Sequence, residues 1–210
     1  MDNPWKNIRL SDYENHMKLG SVMQLQTLCG IMKRQFDTYP CGDVMILGCA
    51  GGNGLEHIDR DKYKTVYCVD INPEYLRKTA KRYEGLGNSL KCLCIDLTRE
   101  FEKLPSAGLV IADLLIEYIG YECFGKVIGK VCPEAVSCVI QADTGEGFVY
   151  ASPYAHCFEG LEGIHYRIDR DRLSMCMDSM GYAGDKTAEF PLPNGKKLVM
   201  MDFVRTGCGK

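Results

Sequence analysis

No apolar run in this chain approaches membrane-spanning length, and the opening MDNPWKNIRL has no apolar signal region. Neither a spanning helix nor a secretory leader is expected. An excess of charge of one sign is also missing. The 25 Lys and Arg against 28 Asp and Glu leave a net charge of -3, and the basic residues form no tract, so no nucleic-acid or membrane partner is expected. Arg77, Lys78, Lys81 and Arg82 do cluster, but with Glu74 and Glu84 they read as the solvated face of a helix. Cys-x-x-Cys is absent: the twelve cysteines are scattered through strand-like and helix-like stretches, and Cys92 and Cys94 form only a Cys-x-Cys on one strand face. Reduced thiols in a cytoplasmic protein are expected, with no disulfide framework and no metal site. There is no repeat, linker or low-complexity tract, and 210 residues suit a single domain.

What the chain does have is concentrated between Asp43 and His57, DVMILGCAGGNGLEH. Val44 to Leu47 is an apolar run long enough for one buried strand and too short for a helix. Gly48, Gly51, Gly52 and Gly54 follow, then Leu55 to Ile58, which suits a helix. Strand, glycine turn and helix open a nucleotide-binding βαβ unit, since glycine lets the backbone turn sharply and approach a ligand. Thr65 to Asp70 is a β-branched and aromatic strand ending in a carboxylate 18 residues beyond Gly52. An acid at that distance accepts hydrogen bonds from a ribose diol; a solvated aspartate at a strand end is the other reading.

Taken in order, Ser11 to Phe36 shows helical spacing interrupted at Gly20, so one bent helix or two are expected over residues 1–40, ahead of the main domain at 41–210. This segment has no strand partner, and it must pack outside the domain or over its binding edge. Tyr13 and His16 fall on one helical face, either as a surface pair or as a lid touching cofactor or substrate. Pro73 in the first turn opens a helix over 74–83. Ser89–Ile95 and Ala107–Ala112 read as strands ending at Asp96 and Asp113. LLIEYIG leads into a helix reaching about Val131, and Glu134–Ile140 is a strand followed by Asp143. Strands alternating with helices imply a parallel sheet, with ligands beyond the carboxyl ends where these acids fall. Residues 142–168 have no periodicity but hold Tyr150, Tyr154, His156, His165 and Tyr166, and a loop that long and aromatic is more often functional than idle. After a helix over 169–180, two strands joined by Asn194-Gly195 read as an antiparallel hairpin.

With these motifs in hand, the chain from about Asp43 to Val204 resembles class I S-adenosylmethionine-dependent methyltransferases. LGCAGGNG resembles their glycine motif, with Gly48, Ala50 and Gly52 on its glycine positions and Cys49 and Gly54 within it. VYCVDIN resembles the second motif, which implies Asp70 as ribose ligand and Ile71 against the adenine. CLCIDLT resembles the third, implying Asp96 on the adenine amino group and the Leu97 backbone N–H beside it. IADLLIEYIG resembles the fourth, placing Asp113 beside the methyl donor. The resemblance implies a Rossmann-like three-layer sandwich whose seven-stranded, mostly parallel sheet ends in an antiparallel hairpin strand. Ile46 stands where that family usually carries an acid, Ala50 replaces the middle glycine, and the fourth motif is not the Asn/Asp-Pro-Pro-Tyr form.

The resemblance implies S-adenosylmethionine as methyl donor and S-adenosylhomocysteine as product. The acceptor is expected to be a small molecule, because neither the N-terminal segment nor the 144–168 loop is basic or a separate recognition domain. A monomer and a homodimer both remain open. Glu117 and Tyr118 are placed to face the acceptor, Glu117 as a base or orienting group and Tyr118 as a channel wall. A first-turn carboxylate stabilised by the helix dipole is the plainer reading of Glu117. His156, His165 and His16 are weaker base candidates. Two rivals share the glycine turn and Asp70: an NAD(P)-dependent oxidoreductase, for which Tyr182-x-x-x-Lys186 has the spacing of a dehydrogenase dyad, and a non-catalytic S-adenosylmethionine-binding module.

Overall fold

The structure is a computed structural model that describes residues 3–39, 41–142 and 152–207. Asp143 and Tyr150, singled out above, lie outside the described residues. Among the described residues there are seven strands: β1 (Gly42–Leu47), β2 (Tyr63–Asp70), β3 (Leu90–Cys94), β4 (Leu109–Asp113), β5 (Ala135–Ala142), β6 (Tyr182–Pro191) and β7 (Lys197–Arg205). They form one sheet in the order β3-β2-β1-β4-β5-β7-β6. β1 to β5 are parallel, and β7 runs antiparallel to both β5 and β6. The α-helices of the described residues are α1 (Leu10–Met17), α2 (Gln24–Thr38), α3 (Pro73–Arg82), α4 (Leu97–Glu100), α5 (Ile116–Val131) and α6 (Arg170–Ser179).

The apolar runs of the central strands are buried on both sides, as a covered parallel sheet requires. Met45 and Leu47 of β1 join Val110 and Ala112 of β4 and pack beneath Phe124, Val127 and Val131 of α5, with Leu173 and Met177 of α6. Val44 and Ile46 point the other way, with Val66, Leu109 and Ile111, under Met32 and Phe36 of α2 and Leu76 of α3. The layers are therefore helix, sheet, helix. Fully burying one such side chain is worth roughly 1.5–3 kcal/mol.

The N-terminal stretch is two helices. Gly20 to Met23 breaks them apart, and Met23 takes a left-handed φ of 54°. The two outcomes considered for this stretch both occur: α2 packs on the outer face of the sheet, while α1 lies over the carboxyl ends of the strands, where Tyr13 meets Tyr75.

The expected helix after the glycine turn is absent. Leu55–His57 is a single 3-10 turn, and the chain then reaches β2 at Tyr63. Three of the glycines there have positive φ, which an α-helix does not admit, and Asp59 to Lys62 offers no apolar stripe. The face that a crossover helix would cover is already held by α2. Two smaller differences concern the later chain. Ala155–Ile164, read above as aperiodic, contains a 3-10 helix buried through Phe158 and Leu161. α5 is interrupted at Gly120, with φ 71° and ψ 169°, so Glu117 and Tyr118 occupy a short turn set apart from the main helix.

Candidate active site

The strand order reverses between β1 and β4, and the crevice opens there, beyond their carboxyl ends. On one side of the switch point Gly48 leaves β1; on the other Asp113 ends β4. Leu114, next along, has a left-handed φ of 54°, a conformation that costs a non-glycine residue of order 1–3 kcal/mol and turns the chain sharply into Leu115.

Two cavities adjoin at this point. The first is lined by Gly48, Ala50, Asp70, Ile71, Asp96 and Leu97, and by Asp113 at its inner end. The second holds His16, Gln24, Glu117, Gln141, His165 and Lys196. Trp5, Tyr13, Leu114 and Tyr118 border both. Trp5 meets Tyr13 and Tyr118 edge-on, with ring centroids 5.9 and 4.9 Å apart. An aromatic partition thus divides the two spaces. It is held from the N-terminal side, because Asn72 Nδ2 donates to the Trp5 carbonyl at 3.0 Å and Tyr75 Oη to that of Ile8 at 2.8 Å.

In the first cavity the Asp70 carboxylate is fixed by two backbone donors: Ala50 N–H to Oδ2 at 2.9 Å and Asn72 N–H to Oδ1 at 2.8 Å. Each oxygen keeps accepting capacity beyond these bonds. Burial pushes this carboxyl up to about 6, against the pull of the two N–H groups. Asp96 caps α4, and its Oδ1 accepts from Thr98 N at 3.0 Å and Thr98 Oγ1 at 2.6 Å. Asp113 takes Gln35 Nε2 on Oδ1 at 2.9 Å, while its buried Oδ2 has no partner. Burial drives its carboxyl up to about 7. Asp113 also reaches a smaller recess behind the glycine turn, where Glu14, Ile46, Gly48 and Cys49 meet.

In the second cavity Glu117 is buried; Oε1 accepts Gln141 N–H at 2.8 Å and Oε2 has no partner. Desolvation raises its carboxyl to about 7, and burial raises the neighbouring Tyr118 phenol above its ordinary value. His165 lies edge-on to Tyr118, centroids 5.7 Å apart. His16 bonds Ser152 Oγ through Nδ1 at 2.8 Å and packs on Phe158. Burial, and then the Lys196 charge, lower its basicity.

Several of the residues singled out from the sequence are not brought to the two cavities. His156 is exposed and lies against Cys157, 3.4 Å from its sulfur, because the 3-10 helix turns Phe158 inward and His156 outward. Gly52 and Gly54 face protein instead of the crevice. A Cβ on Gly52 would stand 2.8 Å from Thr79 and Tyr83, and one on Gly54 2.6 Å from the Met32 sulfur. Their φ values of 78° and 88° also require glycine. The dyad spacing Tyr182 to Lys186 places neither residue near the crevice: Tyr182 Oη donates to the Pro133 carbonyl at 2.8 Å and Lys186 covers the Tyr39 ring.

The structure also adds residues that the sequence did not single out. Lys196, only 5% exposed, enters the second cavity from the β6–β7 turn beside Asn194, and Gln24 donates to Gln141 Oε1 at 2.7 Å. A lysine after Asn-Gly reads as ordinary hairpin chemistry, so only the fold reveals it. Arg82, assigned above to a solvated face, instead grips Glu14 at 2.7 Å and the Gly51 carbonyl at 2.8 Å, tying α1 to the glycine turn.

No family model and no curated protein matches the chain by sequence. Solved structures match it in fold. The N-methyltransferase NodS from Bradyrhizobium japonicum WM9, in complex with S-adenosyl-L-homocysteine, is 11% identical with a TM-score of 0.65, covering 98% of this chain and 100% of that one. Magnesium protoporphyrin IX methyltransferase from Synechocystis PCC 6803, with bound SAM, is 12% identical with a TM-score of 0.62, over 91% and 83%. The cyclase SpnF is 8% identical with a TM-score of 0.63, over 85% and 80%. At such identities the likeness is one of fold. The chain has the Rossmann-like class I methyltransferase fold, including the reversed β7.

Proposed function

We propose that the chain is an S-adenosylmethionine-dependent methyltransferase acting on a small molecule, with the cofactor in the first cavity and the acceptor in the second. The observation that carries this reading is the junction of the two cavities at Leu114 and Tyr118, with the backbone-held Asp70 carboxylate lining one and the buried Glu117 lining the other. The residues present fit the cofactor. Asp70 presents two oxygens held at fixed positions, and the orphaned Asp113 Oδ2 needs a donor or cation that the protein does not give it.

Asp70 would take the ribose hydroxyls, Ile71 one adenine face, and Asp96 with the Leu97 backbone the adenine edge. Asp113 would pair with the ammonium of the methionine half. It stands two residues beyond Ile111, which is paired with Ile46, so it supplies on β4 the charge that Ile46 withholds on β1. When bound, the cofactor supplies a methyl group made electrophilic by its sulfonium centre. The chain's own contribution is orientation and exclusion of water. Trp5, Tyr13 and Tyr118 form the dry partition, α1 acts as a lid pinned by Arg82, and Glu117, with a carboxyl near neutrality, accepts a proton from a nucleophile that enters protonated.

Among the described residues the linings of both cavities carry no basic tract, which supports a small acceptor over a nucleic acid. Among the described residues eleven cysteines are free, and no helix is long and apolar enough to cross a membrane; the free thiols support a cytoplasmic setting. The oxidoreductase reading loses its dyad, as Tyr182 and Lys186 lie elsewhere. Because a cyclase shares the fold, transfer itself must be measured. Purified chain with methyl-labelled S-adenosylmethionine and a panel of small amines, phenols, thiols and carboxylates is expected to label an acceptor and release S-adenosylhomocysteine. Cofactor binding without transfer to any acceptor would instead favour the non-catalytic module.

A further inference from the structure

We propose that Cys29, Glu56 and His57 form a binding site for a divalent transition-metal ion of the zinc class, clipping α2 to the glycine turn. The three side chains meet on the outer side of that turn, away from both cavities. Cys29 Sγ lies 3.1 Å from Glu56 Oε1 and 3.3 Å from His57 Nε2, and the three donor atoms all fall within 4.8 Å of one another. In a tetrahedral zinc site, with Zn–S about 2.3 Å and Zn–N about 2.0 Å, neighbouring donors stand about 3.5 Å apart. Opening the cluster by a few tenths of an ångström therefore makes room for the ion.

The donor set selects the class of metal. A thiolate, an imidazole nitrogen and one carboxylate oxygen suit zinc and its neighbours; calcium and magnesium demand oxygen ligands. Glu56 is exposed and Cys29 and His57 are half-buried, which leaves water access to a fourth position. The ligands come from two elements already locked together. Asn53 Nδ2 donates to the Leu25 carbonyl of α2 at 3.0 Å, and Gly54 sits directly against Met32 of the same helix. Tyr83 Oη donates to the other Glu56 oxygen at 2.9 Å, the kind of outer contact that orients a ligating carboxylate. Binding displaces the thiol proton now directed at Glu56 and puts the metal in its place. Sequence spacing cannot show this site: Glu56 lies 27 positions beyond Cys29, and the sequence expectation of no metal rested on the absence of Cys-x-x-Cys.

The test uses the full chain stripped of metal, titrated with Zn2+ by calorimetry and with Co2+ by absorption. One equivalent of Zn2+ is expected to bind and to raise the melting temperature, and Co2+ is expected to give a near-ultraviolet thiolate charge-transfer band. Cys29→Ser should abolish that band and weaken Zn2+ binding at least tenfold, and His57→Ala should weaken it comparably. Cys132→Ser, at an exposed cysteine elsewhere, should change neither. Absence of stoichiometric uptake, or a charge-transfer band that survives Cys29→Ser, would overturn the proposal. Cofactor affinity is measured separately, so this result stands or falls independently of the methyltransferase reading.

Discussion

Asp70 Oδ2 accepts the backbone N–H of Ala50 at 2.9 Å, so the acid at the end of β2 also shapes the glycine turn after β1. Ala50 has a left-handed φ of 45°, and this bond holds it there. Asp70→Ala is therefore expected to do two things: weaken S-adenosylmethionine binding by roughly 10- to 100-fold, the scale of losing a charge-assisted hydrogen-bond pair, and lower the melting temperature. Asp70→Asn keeps an acceptor for Ala50 and should restore most of the stability but little of the affinity. Calorimetry and thermal melting on the two variants check this. Equal cofactor affinity in all three proteins would place the ribose elsewhere.

With Asp113 on the ammonium, as proposed, the two halves of the cofactor can be probed separately. Asp113→Asn should weaken S-adenosylmethionine and S-adenosylhomocysteine at least tenfold, since both carry the ammonium group. Binding of 5′-methylthioadenosine, which lacks the amino-acid half, should change less than twofold. A uniform loss across all three ligands would mean that Asp113 acts on the turn and not on the ammonium.

The free protein should lose stability as the pH rises. Burial raises the carboxyls of Asp70 to about 6 and of Asp113 and Glu117 to about 7, so the folded chain binds more protons than the unfolded one between about pH 4 and pH 7. The stability these groups contribute is complete below their unfolded pKa values and is lost as pH climbs through the folded ones. Melting temperatures measured from pH 5 to pH 8 should fall less steeply in Asp113→Asn and Glu117→Gln than in the parent. Parallel slopes would show that these carboxyls stay ionised throughout.

Once an acceptor is in hand, Glu117→Gln should lower kcat by about 100-fold or more, the usual scale for a general base, while leaving S-adenosylmethionine affinity within twofold. The amide still accepts the Gln141 N–H that Glu117 accepts at 2.8 Å, so the cavity wall is kept. If kcat is unchanged, the nucleophile arrives already ionised.

The strands, the acids at their ends and the final hairpin were legible because buried parallel strands are short apolar runs and their carboxyl ends carry the polar residues; the order of the strands in the sheet came only from the structure. Asp70, Asp96, Asp113 and Glu117 were accordingly singled out from sequence, and all line the two adjoining cavities. Lys196, Gln24 and Arg82 were not, since their significance arises only when the β6–β7 turn, α2 and α3 come together around α1. Gly52 and Gly54 were read as ligand-facing because spacing cannot distinguish a glycine that admits a cofactor from one that admits Met32 or Thr79. The missing helix after β1 was misread for a related reason: the residues that cover that face of the sheet lie earlier in the chain, in α2.

The most direct test is a calorimetric titration of the purified chain with S-adenosylmethionine, S-adenosylhomocysteine and NAD, each alone. The geometry of Asp70, Asp96 and Asp113 predicts one-to-one binding of the first two in the micromolar range and none of NAD. Binding of NAD, or no binding of either sulfur ligand, would contradict it.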